Sequence, residues 1–167
     1  VNNFPVNVDG KEYWISRSVA VCAICFCQDN GLRVLAVKRG PGCPDEVGKW
    51  CCPCGYLDYN ETLIEACCRE VKEETNLTLD KTCMYLFHID DSPKSNKQNI
   101  TFTYVCKGVS FKSQTISTEG SEPNEIDDVE WVSVNELDKY DWAFNHAELI
   151  EKIISEDQML KNIRYIN

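Results

Sequence analysis

Glu70, Glu73 and Glu74 stand at i, i+3 and i+4, a spacing that on a helix puts three carboxylates on one face within a turn of one another. Three like charges so close repel. They also fall in the C-terminal half of their run, where the helix dipole disfavours anions. A hard divalent cation offsets both effects, because Mg²⁺ takes oxygen ligands, keeps several waters and joins a few carboxylates to substrate phosphates. Taken alone, the trio has a second reading as a solvated acidic face with Arg69 and Lys72 as partners.

The run that carries them has helical periodicity over residues 62–75, with Leu63, Ala66, Cys67 and Val71 on one stripe. Thr62 followed by Glu65 is a capping-box signature for its start. Asn76 is a suitable stop, since Asn tolerates the left-handed conformation. Asp9-Gly10 predicts a turn between short extended runs at 5–8 and 12–15. Residues 18–27 read as a buried strand, Asp29-Asn30-Gly31 as a hairpin turn and 32–38 as the returning strand. The stretch 40–48, rich in Gly, Pro and acid, reads as a loop, and 50–53 as a short extended piece ending at Pro53. Residues 82–89, 100–111 and 129–132 predict further strands, with polar stretches at 90–99 and 113–127 between them. Ser133 with Glu136 predicts a second capping box opening a short helix to Lys139. Residues 145–154 predict a last amphipathic helix, and the tail from 155 is expected to be loosely held. Strands on both sides of one central helix, with a late helix, predict a mixed α/β sandwich.

With 167 residues, 43% apolar and 26% charged, the chain has the size and composition of one globular domain. The net charge of −10 gives no general attraction for a nucleic-acid backbone or an anionic membrane. A phosphate-bearing ligand therefore needs a local arrangement to hold it. No apolar run approaches the roughly 20 residues that span a bilayer, and residues 1–5 lack the pattern of a signal peptide. The 11 cysteines are an odd number that cannot pair completely within one chain. Many sit in apolar surroundings, where free Cys behaves as a small hydrophobe, and the expectation is a reduced, cytoplasmic protein. Cys51-Cys52-Pro53-Cys54 raises a structural zinc site as an alternative. However, Cys22 and Cys25 lie in a strand-like run that points them to opposite faces.

Residues 55–77 resemble the signature of the Nudix hydrolase superfamily, Gly-x5-Glu-x7-Arg-Glu-U-x-Glu-Glu-x-Gly-U, with U a bulky apolar residue. Gly55, Glu61, Arg69, Glu70, Val71, Glu73, Glu74 and Leu77 match, and Asn76 replaces the second Gly. Val37-Lys38-Arg39, Gly48-Lys49-Trp50 and the run from Pro53 to Asp58 look like the family's approach to this box, with Cys54 in place of a usual Gly. Residues 126–137 resemble its closing strand and helix. Residues 143–148 are similar to a helix of the ADP-ribose pyrophosphatase type and its regulatory relatives. The resemblance implies a single domain over 1–167 with its core at about 18–154, a short N-terminal hairpin and a C-terminal tail. The implied fold is the Nudix fold, a mixed β-sheet sandwiched between helices (α/β/α).

The resemblance implies a Mg²⁺- or Mn²⁺-dependent pyrophosphohydrolase acting on a nucleoside diphosphate linked to another moiety, ADP-ribose being the favoured type. Glu70, Glu73 and Glu74 would hold the metal, with the Gly55 carbonyl as a further ligand. Arg69 and Glu61 would be structural in the motif. The base that takes a proton from water would be a box Glu or a later-loop carboxylate, with Glu122 and Glu125 favoured over Glu119. Each of the three is also readable as an ordinary loop residue. Arg39 is a candidate phosphate ligand or a surface Arg paired with an acid. Trp50 and Tyr56 are candidates for stacking on base or ribose, or for core packing. Asp91, Lys94 and Gln98 around Pro93 could line the substrate opening, while His88 and His146 read as structural. A MutT-like nucleoside triphosphate pyrophosphohydrolase is the alternative in the same class. A non-catalytic nucleotide sensor is the alternative outside it, disfavoured by the intact box acids and the lack of a basic patch. A homodimer is left open by the resemblance; nucleic-acid and membrane partners are not expected.

Overall fold

A computed structural model describes residues 4–29, 31–93, 99–109 and 114–164. The chain runs β1 (Phe4–Val8), β2 (Lys11–Ile15), β3 (Val19–Cys27), β4 (Arg33–Arg39), β5 (Trp50–Cys51), β6 (Cys54–Tyr56), α1 (Leu63–Thr75), β7 (Met84–Asp90), β8 (Ile100–Val109), β9 (Ile126–Ser133), α2 (His146–Glu156) and α3 (Gln158–Arg164). β1 and β2 form a hairpin of their own. The other strands make one seven-stranded sheet ordered β5-β4-β3-β8-β7, with β6 also on β3 and β9 also on β4. β3 and β8 run parallel and the other pairs antiparallel, so the sheet is mixed.

β3 explains why the sheet is covered on both sides. Its apolar run feeds two cores by simple alternation. Cys22, Ile24 and Phe26 face the layer containing Ile150, Ile153 and Ile154 of α2 and Leu160 of α3. Val21, Ala23, Cys25 and Cys27 face Ala66, Cys67 and Val71 of α1. Cys22 and Cys25 therefore lie on opposite faces, as their strand spacing predicts. All eleven cysteines are free thiols, most of them buried. The three-layer α/β/α order is the expected one.

The caps of α1 also match expectation. Thr62 Oγ1 accepts from the Glu65 amide at 3.3 Å while Glu65 returns a carboxylate oxygen to the Thr62 amide at 2.9 Å. Asn76 closes the helix at φ 59°, and Lys72 donates to its carbonyl at 2.8 Å and its side-chain oxygen at 2.7 Å.

Several expectations need correction. The stretch 50–53 is extended only at Trp50–Cys51, and a second short strand, β6, follows Pro53. The turn at Lys81–Cys83 is 3-10, capped by Asp80, so β7 starts later than predicted. β9 is longer than 129–132 because it pairs with β4 along its length. Ser133 builds no capping box. Its hydroxyl takes the Asn135 amide at 3.4 Å instead, and the next element is a 3-10 turn at Leu137–Lys139 with no side-chain cap. The end of the expected strand 100–111 beyond Val109 lies outside the described residues. The tail is not loose: α3 packs Leu160 at 0% exposure into the layer beneath α2. Asp157 joins the two helices, accepting from the Leu160 amide at 3.1 Å and from Lys107 Nζ at 2.7 Å. Leu160→Ala should accordingly cost about 2–4 kcal/mol, read as a lowered urea midpoint; an unchanged midpoint would mean that α3 adds nothing to the core.

Candidate active site

β6 and α1 bring the signature together. Val71 and Cys67 press α1 onto the sheet, and Glu74 lies one turn further along the same side, buried at 4% exposure. Its carboxylate accepts from the Cys54 amide at 3.3 Å and has no ion-pair partner among the described residues. Burial pushes its pKa well up, helped by the neighbouring Cys54, Glu70 and Glu125. Glu70 is also raised by burial, partly opposed by Arg69, whose Nη1 donates to it at 2.8 Å. Gly55 is where β6 passes this carboxylate, and a Cβ there would stand 2.1 Å from Glu70 Oε1. A side chain at this position would therefore have to push the end of Glu70 aside, while the backbone itself asks for no glycine, since its φ lies outside the left-handed region.

Arg69 organises the rim. It donates twice to Glu61, at 3.0 and 2.8 Å, to Glu73 at 3.1 Å and to the Tyr56 carbonyl at 2.9 Å. Glu61 also accepts from the Asp58 amide at 2.8 Å, and Arg69 holds its pKa below the ordinary value. The three box carboxylates thus do not share one face equally. Glu74 points inward, Glu73 lies outward on Arg69, and Glu70 sits between. Among the described residues no three carboxylates, thiols or imidazoles are grouped as a ready metal cage.

The donor set nevertheless suits a hard cation. It consists of carboxylate oxygens with the Gly55 backbone against Glu70, and the innermost carboxylate has no protein cation beside it among the described residues. The Cys51–Cys54 cluster has no such character. Cys51 packs with Val37, Ile126 and Ala143, and Cys52 turns into the α2 layer.

Of the later-loop acids, Glu125 is the one whose charge bears on Glu70 and Glu74. Glu122 and Glu119 are exposed. The pattern of the chain did not separate Glu122 from Glu125, because that choice depends on how residues 114–125 cross the end of α1. There the Ser117 amide donates to the Thr75 carbonyl at 3.0 Å, and a Cβ on Gly120 would stand 2.8 Å from the Glu73 carbonyl.

Arg39 is buried rather than free. It donates to the Asp45 carbonyl at 3.1 Å and the Asp45 carboxylate at 2.9 Å, and its guanidinium lies 4.9 Å from the Phe144 ring centroid. Trp50 packs edge-on to Tyr140 at 5.4 Å, against the α2 layer. Arg39 is thus paired with an acid and Trp50 packed into a core, the structural one of the two readings open for each. Tyr56 stays half-exposed at the rim, its hydroxyl accepting from Asn99 at 3.3 Å. The Asp91 carbonyl accepts from Arg17 at 3.0 Å; Lys94 and Gln98 lie outside the described residues.

The NUDIX domain family matches residues 16–153. The chain belongs to the NUDIX domain family. The solved NUDIX domain of Shewanella oneidensis NrtR, complexed with ADP ribose, aligns at a TM-score of 0.70 and 22% identity, covering 84% of this chain and 88% of that one. A NUDIX hydrolase from Nitrosomonas europaea aligns at 0.65 and 23%, covering 84% and 90%. A bifunctional NMN adenylyltransferase/ADP ribose pyrophosphatase from Francisella tularensis, complexed with AMP and a Mn ion, aligns at 0.63 and 22%, covering 84% of this chain. The Nudix chain spans 42% of that Francisella protein and 61% of NrtR as crystallised with a 27mer DNA. At these identities the likeness concerns the fold.

One Nudix-fold neighbour of the site titrates. His146, at the start of α2, accepts the Cys52 amide on Nδ1 at 3.0 Å, so the neutral ring carries its proton on Nε2, 3.8 Å from Cys22 Sγ. This fixes the strand segment that leads into β6. Burial lowers its pKa from 6.5 to about 4. Across that window the unfolded chain takes a proton that the folded chain refuses, so stability is full above the upper value and falls as pH drops towards the lower. The wild type should lose on the order of 3 kcal/mol relative to His146→Gln between neutral pH and pH ~4. Urea unfolding of both proteins at several pH values checks this; parallel curves would rule it out.

Proposed function

We propose that the chain is a divalent-metal-dependent pyrophosphohydrolase that cleaves the diphosphate of a nucleoside diphosphate linked to another moiety, of the ADP-ribose type. The observation that carries this is the buried, uncompensated Glu74 carboxylate, with Glu70 and the Gly55 backbone packed beside it. A folded protein leaves such a charge without a protein partner at a cost of several kcal/mol, which a bound Mg²⁺ or Mn²⁺ would offset. The same metal would neutralise diphosphate charge and lower the pKa of a bound water.

The residues divide the work by position. Glu74, Glu70 and Glu73 hold the metal, with the Gly55 carbonyl as an added oxygen. Glu125 takes the proton from the attacking water, because it lies electrostatically against the other two carboxylates and its own has no partner among the described residues. Glu122, exposed, is the secondary candidate. Arg69 and Glu61 keep the rim closed, and Tyr56 offers its half-exposed ring to base or ribose. A cytoplasmic setting suits the free thiols. The ADP ribose complex of the NrtR domain and the Francisella pyrophosphatase support the substrate type. The DNA complex of NrtR is the reason a regulatory reading stands second. The complete set of box acids favours catalysis over it.

A product-resolved hydrolysis screen with Mg²⁺ and Mn²⁺ tests the proposal. Its panel is ADP-ribose, NADH, dinucleoside polyphosphates, nucleotide sugars and nucleoside triphosphates. Conversion of ADP-ribose to AMP and ribose phosphate is expected. Turnover of triphosphates alone would replace the substrate type with the MutT-like one, and no turnover with either metal would leave the sensor reading. Glu74→Gln should lower kcat by ~100-fold or more, the scale of losing one buried electrostatic stabiliser. It should also raise the melting temperature in EDTA. A carboxylate whose folded pKa is raised destabilises the fold increasingly as pH climbs above its unfolded value, and Gln removes that penalty.

A further inference from the structure

Beyond the regular ladder of β4 and β9 the two chains stay joined. The register shifts between Lys38 and Arg39. Past that step the Gly40 amide donates to the Glu125 carbonyl at 2.7 Å and the Gly42 amide to the Asn124 carbonyl at 2.7 Å. The buried Cys43 thiol adds a second donor to the Glu125 carbonyl at 3.2 Å. The approach leaves no space, since a Cβ on Gly40 would stand 2.3 Å from the Asn124 carbonyl oxygen and one on Gly42 2.9 Å. On the other side Asn124 holds φ 64°, and the Glu125 amide closes the turn onto the Glu122 carbonyl at 3.0 Å. The loop is itself anchored where it begins, by Arg39 on Asp45 and over Phe144.

This is much backbone constraint for a turn whose residues 122–124 are exposed and add nothing to a core. The constraint falls on the backbone of Glu125 and leaves its carboxylate unengaged among the described residues. A group that must accept a proton needs that combination, a fixed origin and a free end.

We propose that the loop from Gly40 to Cys43 is a mould that sets the Glu125 carboxylate against Glu70 and Glu74, with Gly42 and Cys43 acting as positioning residues for proton transfer. The inference rests on the hydrolase reading above and on Glu125 as its base. Gly42 acts by allowing contact and Cys43 by donating, so the two can be separated. Gly42→Ala forces the Asn124 carbonyl away. Cys43→Ala deletes a donor with little change of volume, and Cys43→Ser restores one.

The test compares these three variants with the wild type for kcat, KM and melting temperature, and follows amide exchange at Gly40. Gly42→Ala should lower kcat by about tenfold or more, and Cys43→Ala by about threefold, with KM within about twofold in both, as expected when only the placement of a catalytic group changes. Cys43→Ser should recover most of the loss, and exchange at Gly40 should quicken in the alanine variants. If the wild type is active and both alanine variants keep its kcat, the mould has no catalytic role and the hydrolase reading still stands. If kcat falls only together with the melting temperature and Ser restores neither, the loop is merely structural. If the wild type turns over nothing in the panel, the hydrolase reading fails and this inference fails with it.

Discussion

A carboxylate on the wrong side of a helix governs this structure. α1 binds the sheet through Cys67 and Val71, and the next position on that stripe is Glu74. Packing that helix therefore drives an acid into the interior, where water no longer solvates it and no arginine or lysine meets it among the described residues. Of the cations on the helix, Arg69 is spent on Glu61, Glu70 and Glu73 at the rim and Lys72 on Asn76. The fold holds Glu74 in place through the sheet, since the Cys54 amide that meets it belongs to β6, and β6 is held by its pairing with β3. A site under such repulsion is stable only because two large apolar layers hold the sheet and α1 around it.

The cations of the chain are arranged around the site and not in it. Arg69 and Arg39 are the two arginines nearest the signature, and each is fixed by carboxylates and carbonyls of adjoining loops. Arg69 closes 56–61 onto α1. Arg39 closes 40–45 beside Phe144. With both guanidiniums committed, neither is left to neutralise Glu74.

Much of this was readable in the chain. The capping box at Thr62, the stop at Asn76, the central strand and the two buried faces follow from local pattern, because each is set by residues within a few positions of one another. The features that were not readable depend on contacts across long separations. Arg39 could be read as a phosphate ligand or as an Arg paired with an acid, and its pairing with Asp45 and its place over Phe144 appear only in the folded chain. Ser133 and Glu136 have capping-box spacing, but the chain turns too soon for a helix and the serine serves its neighbour Asn135. Residues 158–164 look too polar for a packed element, and one leucine decides otherwise. β6 is three residues long, with no periodicity to betray it. The choice between Glu122 and Glu125 rests on a loop path that no spacing encodes.

The two departures from the family signature show what the site demands of its backbone. Asn76 stands where the family has Gly, and the position needs only a left-handed conformation; Asn adopts it, and Lys72 binds it in place. Cys54 stands where a Gly is usual, and the position needs only an amide aimed at Glu74; any residue but proline supplies one, and the thiol finds room between β6 and the core. Gly55 is different. There a Cβ would meet the end of the Glu70 side chain, so a substitute could enter only by swinging that carboxylate away. Requirements on conformation or on a hydrogen-bond donor admit substitutes that leave the acids where they are, and a side chain beside Glu70 does not. Of the three glycine positions in the signature and its approach, this chain keeps the one at which a side chain would displace a box carboxylate.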